Sequence, residues 1–191
     1  MGNVEFVRPQ NYIVPPLNNN CLELFHLIDA NYLQFLVNKF KKDTKIDSIK
    51  LIKQRLTISQ LEILYELLKN KRIWKCNLAF NQLNDDCIKS LSNFLLTNNH
   101  VRDLIICNNS FSSKGLNFLF KDLSLNHSLI SLNLSQNNID EEGVKIIANY
   151  LSKNQNIKKL NLGYNSLSDK SIKSINFFWL NHFSSHYFFN N

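Results

Sequence analysis

Few residues in this chain have the types and spacing that chemistry requires. His182 and His186 share the i,i+4 spacing of a metal-binding helix, but no Glu stands between them as in H-E-x-x-H, and no Cys or acid is close. The acidic pairs 85–86 and 141–142 resemble the polar start of a helix more than an acid/base pair. A glycine-rich phosphate loop is missing from a chain with only 4 Gly. We therefore predict no enzyme activity, no metal site and no cofactor.

The cysteines and the N-terminus predict a cytoplasmic protein without membrane attachment. The four cysteines are Cys21, Cys76, Cys87 and Cys107. They form no C-x-x-C and look like small apolar residues, which fits a reducing compartment. The N-terminus MGNVEFVRPQ has no apolar h-region, and Phe6 stands where a myristoylation signal needs Ser or Thr. No apolar run is long enough to span a bilayer.

The strongest regularity is a repeated unit of 28 residues. In its clearest copy, five residues show the spacing L-x-x-L-x-L-x-x-N-x-L: Leu129, Leu132, Leu134, Asn137 and Ile139. Five copies begin at Ile46, Ile73, Val101, Leu129 and Ile157, so the first gap is 27 residues and the others are 28. Numbering each copy from its first residue, positions one, four, six and eleven are apolar in all five. Such agreement predicts one continuous stacked core.

A polar column accompanies the apolar ones. Position nine holds Gln54, Asn81, Asn109, Asn137 and Asn165. An Asn side chain carries both a donor and an acceptor, so it can bond backbone groups of its own and neighbouring turns. We predict a ladder of such bonds, in which the loss of one partner costs about 1–3 kcal/mol.

The second half of each copy predicts a helix. Position twelve holds Thr57, Asn84, Ser112, Asp140 and Ser168, all of the helix N-cap class. Thr57 and Gln60 also have the spacing of a capping box. Apolar residues follow at positions 16, 19 and 23, from Leu61, Leu64 and Leu68 in the first copy to Ile172, Ile175 and Trp179 in the fifth. Their spacing makes one stripe of an amphipathic helix of about three turns.

Over about residues 46–180 this pattern resembles the ribonuclease-inhibitor-like class of leucine-rich repeats. The resemblance implies an α/β solenoid, or horseshoe, with parallel strands on the concave side and helices on the convex side. It also implies a non-enzymatic scaffold that binds another protein. We divide the chain into an irregular lead-in with an N-terminal capping helix (1–45), five repeats (46–184) and an aromatic tail (185–191). The Asn-, Lys- and Ile-rich composition suggests an AT-rich genome, where such a protein resembles the effectors that intracellular bacteria deliver into host cells.

Two alternative functions remain open. Leu22 to Phe40 loosely resembles the later part of an F-box through Leu27, Asp29 and Leu33, although the opening Leu-Pro and Glu are missing. An F-box followed by leucine-rich repeats would make a substrate adaptor of a ubiquitin ligase. A regulatory subunit of a larger assembly is the other alternative.

Charge does not favour a nucleic-acid partner. The net charge of +7 is spread along the chain, and its densest cluster is Lys39, Lys41, Lys42 and Lys45. No nucleic-acid-reading motif accompanies this cluster.

At the C-terminal end of the chain, four aromatic residues are expected to cover the last repeat: Phe183, Tyr187, Phe188 and Phe189. Without such a cover, the exposed edge would promote self-association. The sequence leaves the oligomeric state open.

The candidate binding residues are those that alternate with the core columns in the strands, because alternate side chains face opposite sides of a sheet. Aromatic and Arg side chains dominate binding hot spots. We therefore predict a partner-binding surface that consists of Trp74, Phe80, Arg102, Ile105 and Tyr164, with Lys158 and Lys159 selecting acidic partners. The alternative is that Trp74 and Phe80 pack against neighbouring strands or the N-terminal segment.

Overall fold

Strands and helices alternate along the chain. The computed structural model describes residue 17 and residues 20–24, 27–40, 45–69 and 71–180. The strands of this part are β1 (Cys21–Leu24), β2 (Ser48–Leu51), β3 (Lys75–Asn77), β4 (Asp103–Ile105), β5 (Ser131–Asn133) and β6 (Lys159–Asn161). The helices are α1 (Ala30–Phe40), α2 (Ile58–Leu68), α3 (Asp85–Thr97), α4 (Ser113–Leu123), α5 (Glu141–Leu151) and α6 (Asp169–Leu180).

The strands form one parallel sheet in the order of the sequence. Leu22 pairs with Ile49, Ile49 with Cys76, Cys76 with Leu104, and so on to Leu160, so each strand lies one repeat from the next. Each helix packs against the helix of the next unit. The predicted α/β solenoid is confirmed, with strands on the concave side and helices on the convex side.

The apolar columns form one core between the sheet and the helices. Leu132, Leu134 and Leu160 are all buried, and Phe111 is fully enclosed at position eleven. The helix stripes of the first four copies are buried as predicted, from Leu61 to Leu151. The side chains of Ile172 and Trp179, predicted for the fifth stripe, lie outside the described part of the structure.

The N-terminal region contains a strand that the sequence pattern did not predict. Residues 21–24 form β1, which pairs in register with β2, and α1 packs against α2. This region is therefore a further strand-helix unit of the same sheet, and Leu33 is fully buried in the common core. The F-box interpretation of residues 22–40 is wrong, because this segment is built into the solenoid rather than presented as a separate module.

Some predictions concern residues outside the described part of the structure. They are the lead-in before residue 17, Lys41 and Lys42 of the basic cluster, the histidine pair His182 and His186, and the aromatic cover Phe183, Tyr187, Phe188 and Phe189.

The position-nine ladder is confirmed. Asn137 Nδ2 donates to the Ile106 carbonyl of the preceding repeat at 3.1 Å and to Leu134 and Ser135 of its own, while its Oδ1 accepts from Asn109 N at 3.1 Å. Asn81, Asn109 and Asn165 repeat this arrangement. Gln54 Nε2 reaches Leu24 O at 3.1 Å, but Gln54 Oε1 is buried without a partner among the described residues. The ladder thus ends at Gln54.

A second column of asparagines lies between the helices α3, α4 and α5 and the strands that follow them. Asn98, Asn126 and Asn154 are buried and lie 28 residues apart. Asn126 Nδ2 donates to Leu95 O (2.7 Å) and Asn98 O (3.0 Å), and its Oδ1 accepts from Leu129 N at 3.1 Å. The sequence pattern did not predict this role, although the spacing of the three residues signals it.

The predicted helix caps are confirmed and also connect repeats. Thr57 and Gln60 form a capping box, and Asn84, Ser112 and Asp140 each accept from a first-turn N–H. Asp85, at the start of α3, accepts from Ser112 N (2.7 Å) and Gly115 N (3.0 Å) at the start of α4. Consecutive helices are thus held in register at their N-termini.

Candidate partner-binding surface

Ten side chains flank the strands on the open face of the sheet, which points away from the helices. The N-terminal row is position two of each repeat, just before the strands: Asp47, Trp74, Arg102, Ile130 and Lys158. The C-terminal row is position eight, just after the strands: Lys53, Phe80, Asn108, Gln136 and Tyr164. The two rows are six residues apart along the chain, a span of at most about 20 Å.

The predicted site residues are divided between these rows and the strands. Trp74, Arg102 and Lys158 lie in the N-terminal row, and Phe80 and Tyr164 lie in the C-terminal row. Ile105 and Lys159 lie within strands, at the end of β4 and the start of β6. The structure therefore places the seven residues on one face of the solenoid but in separate lines.

Backbone hydrogen bonds connect the N-terminal row from repeat to repeat. Trp74 N donates to Asp47 O (2.8 Å), Arg102 N to Trp74 O (2.8 Å), Ile130 N to Arg102 O (2.8 Å) and Lys158 N to Ile130 O (2.7 Å). The row therefore advances by one strand spacing at each step, about 4.8 Å. Trp74 is 45% exposed and Ile130 39% exposed, on either side of the exposed Arg102. Sequence reasoning did not select Ile130, although it shares a column with Trp74 and Arg102.

Trp74 is supported by a neighbouring cation. Lys75 Nζ lies 5.9 Å from the centre of the Trp74 ring and 2.9 Å from Asp103 Oδ2 in β4. The Asp103 carboxylate fixes the ammonium group, and the ammonium group attracts the ring by a cation–π interaction. Trp74 is thus held in place while almost half of its surface stays accessible, so packing against the neighbouring strands does not bury it.

The strand residues between the rows form a floor with few free polar groups. Asn133 Oδ1 accepts from Ser135 N (3.0 Å), and Asn77 and Asn161 make the equivalent bond in their own repeats. Lys50 forms an ion pair with Glu23 of β1. Ile105 lies half-buried in the middle. This floor therefore presents some apolar surface but few unsatisfied hydrogen-bond donors and acceptors.

The C-terminal row has a left-handed backbone in every repeat. The φ angles are 59° at Lys53, 61° at Phe80, 51° at Asn108, 54° at Gln136 and 55° at Tyr164. This conformation suits Gly and Asn, and a bulky side chain there is disfavoured. Phe80 is nevertheless 39% exposed and Tyr164 62% exposed. Lys53 Nζ lies 5.4 Å from the centre of the Phe80 ring, and Asn108 bonds Gln136 at 3.2 Å.

The described residues contain little that could perform chemistry. They include no cluster of three or more His, Cys, Asp or Glu side chains that could hold a metal ion. All four cysteines are free thiols. Burial raises the pKa of the Cys76 thiol to about 12, and burial also raises the pKa of Cys87 and Cys107, so these thiols resist ionisation. No described helix is long and apolar enough to cross a membrane.

A second concave region lies on the helical side. A groove of about 390 Å³ between α4 and α5 is lined by Phe120, Tyr150, Lys121 and Lys153, among others. The Phe120 and Tyr150 rings contact each other with centres 4.7 Å apart, and burial raises the pKa of Tyr150.

Comparisons with known proteins agree with this geometry. A family model described as "Leucine Rich repeat" matches residues 125–148 and 153–175. No curated protein matches the sequence. Among solved structures, the leiomodin-1 actin-binding site 2 has a TM-score of 0.64 at 18% identity, over 76% of this chain and 84% of that chain. The Caenorhabditis elegans tropomodulin C-terminal domain has a TM-score of 0.64 at 14% sequence identity, over 76% of this chain and 90% of that chain. A Bacteroides fragilis protein has a TM-score of 0.54 at 15% sequence identity, over 75% of this chain and 41% of that chain.

The stacked strand-helix units and their asparagine ladder define a solenoid repeat protein. Two of its repeats match the leucine-rich-repeat family model, and the leiomodin-1 and tropomodulin domains share its fold.

Proposed function

We propose that the protein is a non-enzymatic scaffold that captures another protein on the open face of its sheet. The proposal rests on the positions of the exposed apolar side chains. The described residues include eight large exposed apolar side chains, and four of them (Trp74, Phe80, Ile130 and Tyr164) lie in the two rows. Apolar side chains concentrated on one face of a solenoid mark a binding site more often than scattered ones do.

The charges near these residues favour an acidic partner. The acid Asp103 is already paired with Lys75, and Glu23 with Lys50. Arg102, Lys158 and Lys159 are exposed at the C-terminal half of the same face. An acidic protein surface would be attracted to this half of the open face. The acids Asp103 and Glu23 would repel it little, because each is already paired with a lysine.

A solved structure of similar fold supports a protein partner. The leiomodin-1 domain is described as an actin-binding site. At 18% identity the similarity covers the fold and not the partner, so actin is one defined protein to test rather than an inherited ligand.

Capture of partner proteins by an open-face variant tests the proposal. In this variant Trp74, Arg102 and Tyr164 are each replaced by Ala, and it is immobilised beside the wild type in host or source lysate and with purified actin. We expect quantitative mass spectrometry to show at least about tenfold less of the principal partner on the variant. Its thermal unfolding should stay near that of the wild type, because the three side chains are exposed.

A matched variant on the helical side serves as control. Leu96, Leu125 and Lys114 are also exposed and also comprise two apolar side chains and one cation. Replacing them by Ala should leave capture unchanged. If the helical-side variant lost the partner and the open-face variant kept it, the proposed binding face would be wrong.

We further propose, from the sequence alone, that the protein acts in a cytoplasm, as a bacterial effector on a host protein. The regulatory subunit of a larger assembly remains the alternative. Fractionation of infected host cells tests the effector role, because a protein found only inside the bacteria would contradict it.

A further inference from the structure

We propose that the N-terminal row is a docking site for an amphipathic helix of the partner, with apolar residues seven positions apart and acidic residues between them. This inference rests on the proposed function and specifies the chemistry of its partner. It follows from three properties of the row: the order of its side chains, the charge around it, and the use of its backbone groups.

The order of the side chains alternates between apolar and basic. Reading from repeat to repeat, Trp74, Arg102, Ile130 and Lys158 follow one another at about 4.8 Å per step. Trp74 and Ile130 are therefore about 10 Å apart, with Arg102 between them. Two turns of an α-helix rise about 11 Å, and one turn rises 5.4 Å. A helix lying along the row would place residues i and i+7 against Trp74 and Ile130, and residue i+3 or i+4 against Arg102.

The charge around the row selects acidic residues in the helix. Arg72, the last residue of the first repeat, precedes Trp74 by two residues and is exposed, as are Arg102 and Lys159. Asp103 is neutralised by Lys75. The acid of the row itself, Asp47, stands at its N-terminal end, away from Ile130 and Lys158. A carboxylate facing Arg102 can accept two N–H bonds from the guanidinium group.

The backbone groups of the row exclude strand addition as the binding mode. The N–H groups of Trp74, Arg102 and Ile130 each donate to the preceding repeat, and the carbonyls of the same residues accept from the next. A partner lying across these strands finds no free ladder to pair with, so it must satisfy its own backbone. A helix does so internally, whereas an extended segment does not.

Direct binding of a designed peptide tests the inference. The probe is a fluorescein-labelled, Ala-rich peptide of about 20 residues, long enough to be helical, with Leu at i and i+7 and Glu at i+4 and i+11. We expect saturable binding to the full chain by fluorescence anisotropy. Replacing both Trp74 and Ile130 by Ala should raise the Kd at least about tenfold.

Charge exchange provides the sharper test. Arg102→Glu should weaken the Glu peptide at least about tenfold, and a peptide with Lys in place of its Glu residues should recover binding to that variant. A peptide of the same composition with its Leu residues five positions apart, on different sides of the helix, should bind less tightly. A helical-side variant, with Leu96 and Leu125 replaced by Ala, should keep wild-type affinity.

Three results would overturn the inference: no saturable binding by the wild type, equal affinity for both Leu spacings, or no recovery on charge exchange. Thermal unfolding of each variant verifies that it is folded. The proposed function is judged separately by the lysate experiment. If the open-face variant loses its partner while the helical peptide fails to bind, the scaffold function stands and the helix-docking inference falls.

Discussion

Individual residues in this protein serve either the stack or the open face. Asn137 faces inward, and its amide replaces the backbone partners that the turn cannot supply. Phe80 and Tyr164 face outward from a left-handed backbone that disfavours them. An Asn side chain at this position would tolerate the left-handed backbone with less strain, as Asn108 does in the third repeat. The aromatic rings are thus present despite the backbone, which supports a role for the side chains themselves.

Asn137→Ala should destabilise the fold strongly. It removes the donor to Ile106 and Leu134 and the acceptor for Asn109 N, and each buried group left unpaired costs about 1–3 kcal/mol. We expect the free energy of unfolding, measured with urea, to fall by at least about 2 kcal/mol. Asn99→Ala is the matched control, since Asn99 is exposed; it should change stability by about 0.5 kcal/mol or less. Equal losses would refute the ladder account.

Tyr164→Asn should leave stability unchanged or raise it by up to about 1 kcal/mol, because Asn accepts the left-handed conformation at φ 55° and the exposed ring loses little packing. Tyr164→Val should instead lower stability by about 1 kcal/mol, since a β-branched residue is strained there. Urea denaturation of both variants measures the difference. If Val were as stable as Asn, backbone strain at this position would be negligible.

At the scale of the elements, close approach of consecutive helix N-termini fixes the register of the helical layer. Gly115, in the first turn of α4, makes this approach possible. A Cβ at Gly115 would lie 2.6 Å from Asp85 Oδ1 and 3.1 Å from Asp85 Cα. The same carboxylate accepts from the N–H groups of Ser112 and Gly115. The absence of a side chain therefore serves a hydrogen bond between repeats.

Gly115→Ala should be destabilising, although Gly to Ala inside an exposed helix ordinarily stabilises. The added methyl group must displace Asp85 and weaken its bonds to α4, at a cost of about 1–3 kcal/mol. Asn117→Ala, at an exposed site in the same helix, should stabilise by up to about 0.5 kcal/mol. Thermal unfolding of the two variants checks the opposite signs, and stabilisation by Gly115→Ala would show that the contact relaxes freely.

At the scale of the whole molecule, each strand-helix unit is stabilised by its contacts with the neighbouring units. Each helix contacts the helix beside it and each strand pairs with its neighbours, so the core is continuous but every contact is local. The unit of β1 and α1 closes one side of the repeats. Besides its apolar residues, it supplies Leu24 O to Gln54 and Ile28 O to Gln60.

A chain that begins at Lys45 should therefore unfold at a lower urea concentration and self-associate. Loss of β1 opens the edge of β2, and loss of α1 exposes Leu61 and Leu64, which are now fully buried. Light scattering and urea denaturation measure both effects. Leu27→Ser, in the same unit but 65% exposed, should alter neither. A monomeric truncated chain with the midpoint of the full chain would contradict this role.

The sequence by itself determined the repeat, the core columns, the ladder and the helix caps. These features recur every 27 or 28 residues because every copy must bury the same ridge and satisfy the same turn. It did not reveal β1, because the strand register places the exposed Leu27 where the other units have Asn or Gln. Only the tertiary structure decided how the candidate binding residues divide between the two rows and the strands. That division depends on where each strand starts and ends, on the sign of φ at position eight, and on ion pairs such as Lys75 with Asp103. Such ion pairs join side chains of consecutive repeats, so the sequence of a single repeat does not reveal them.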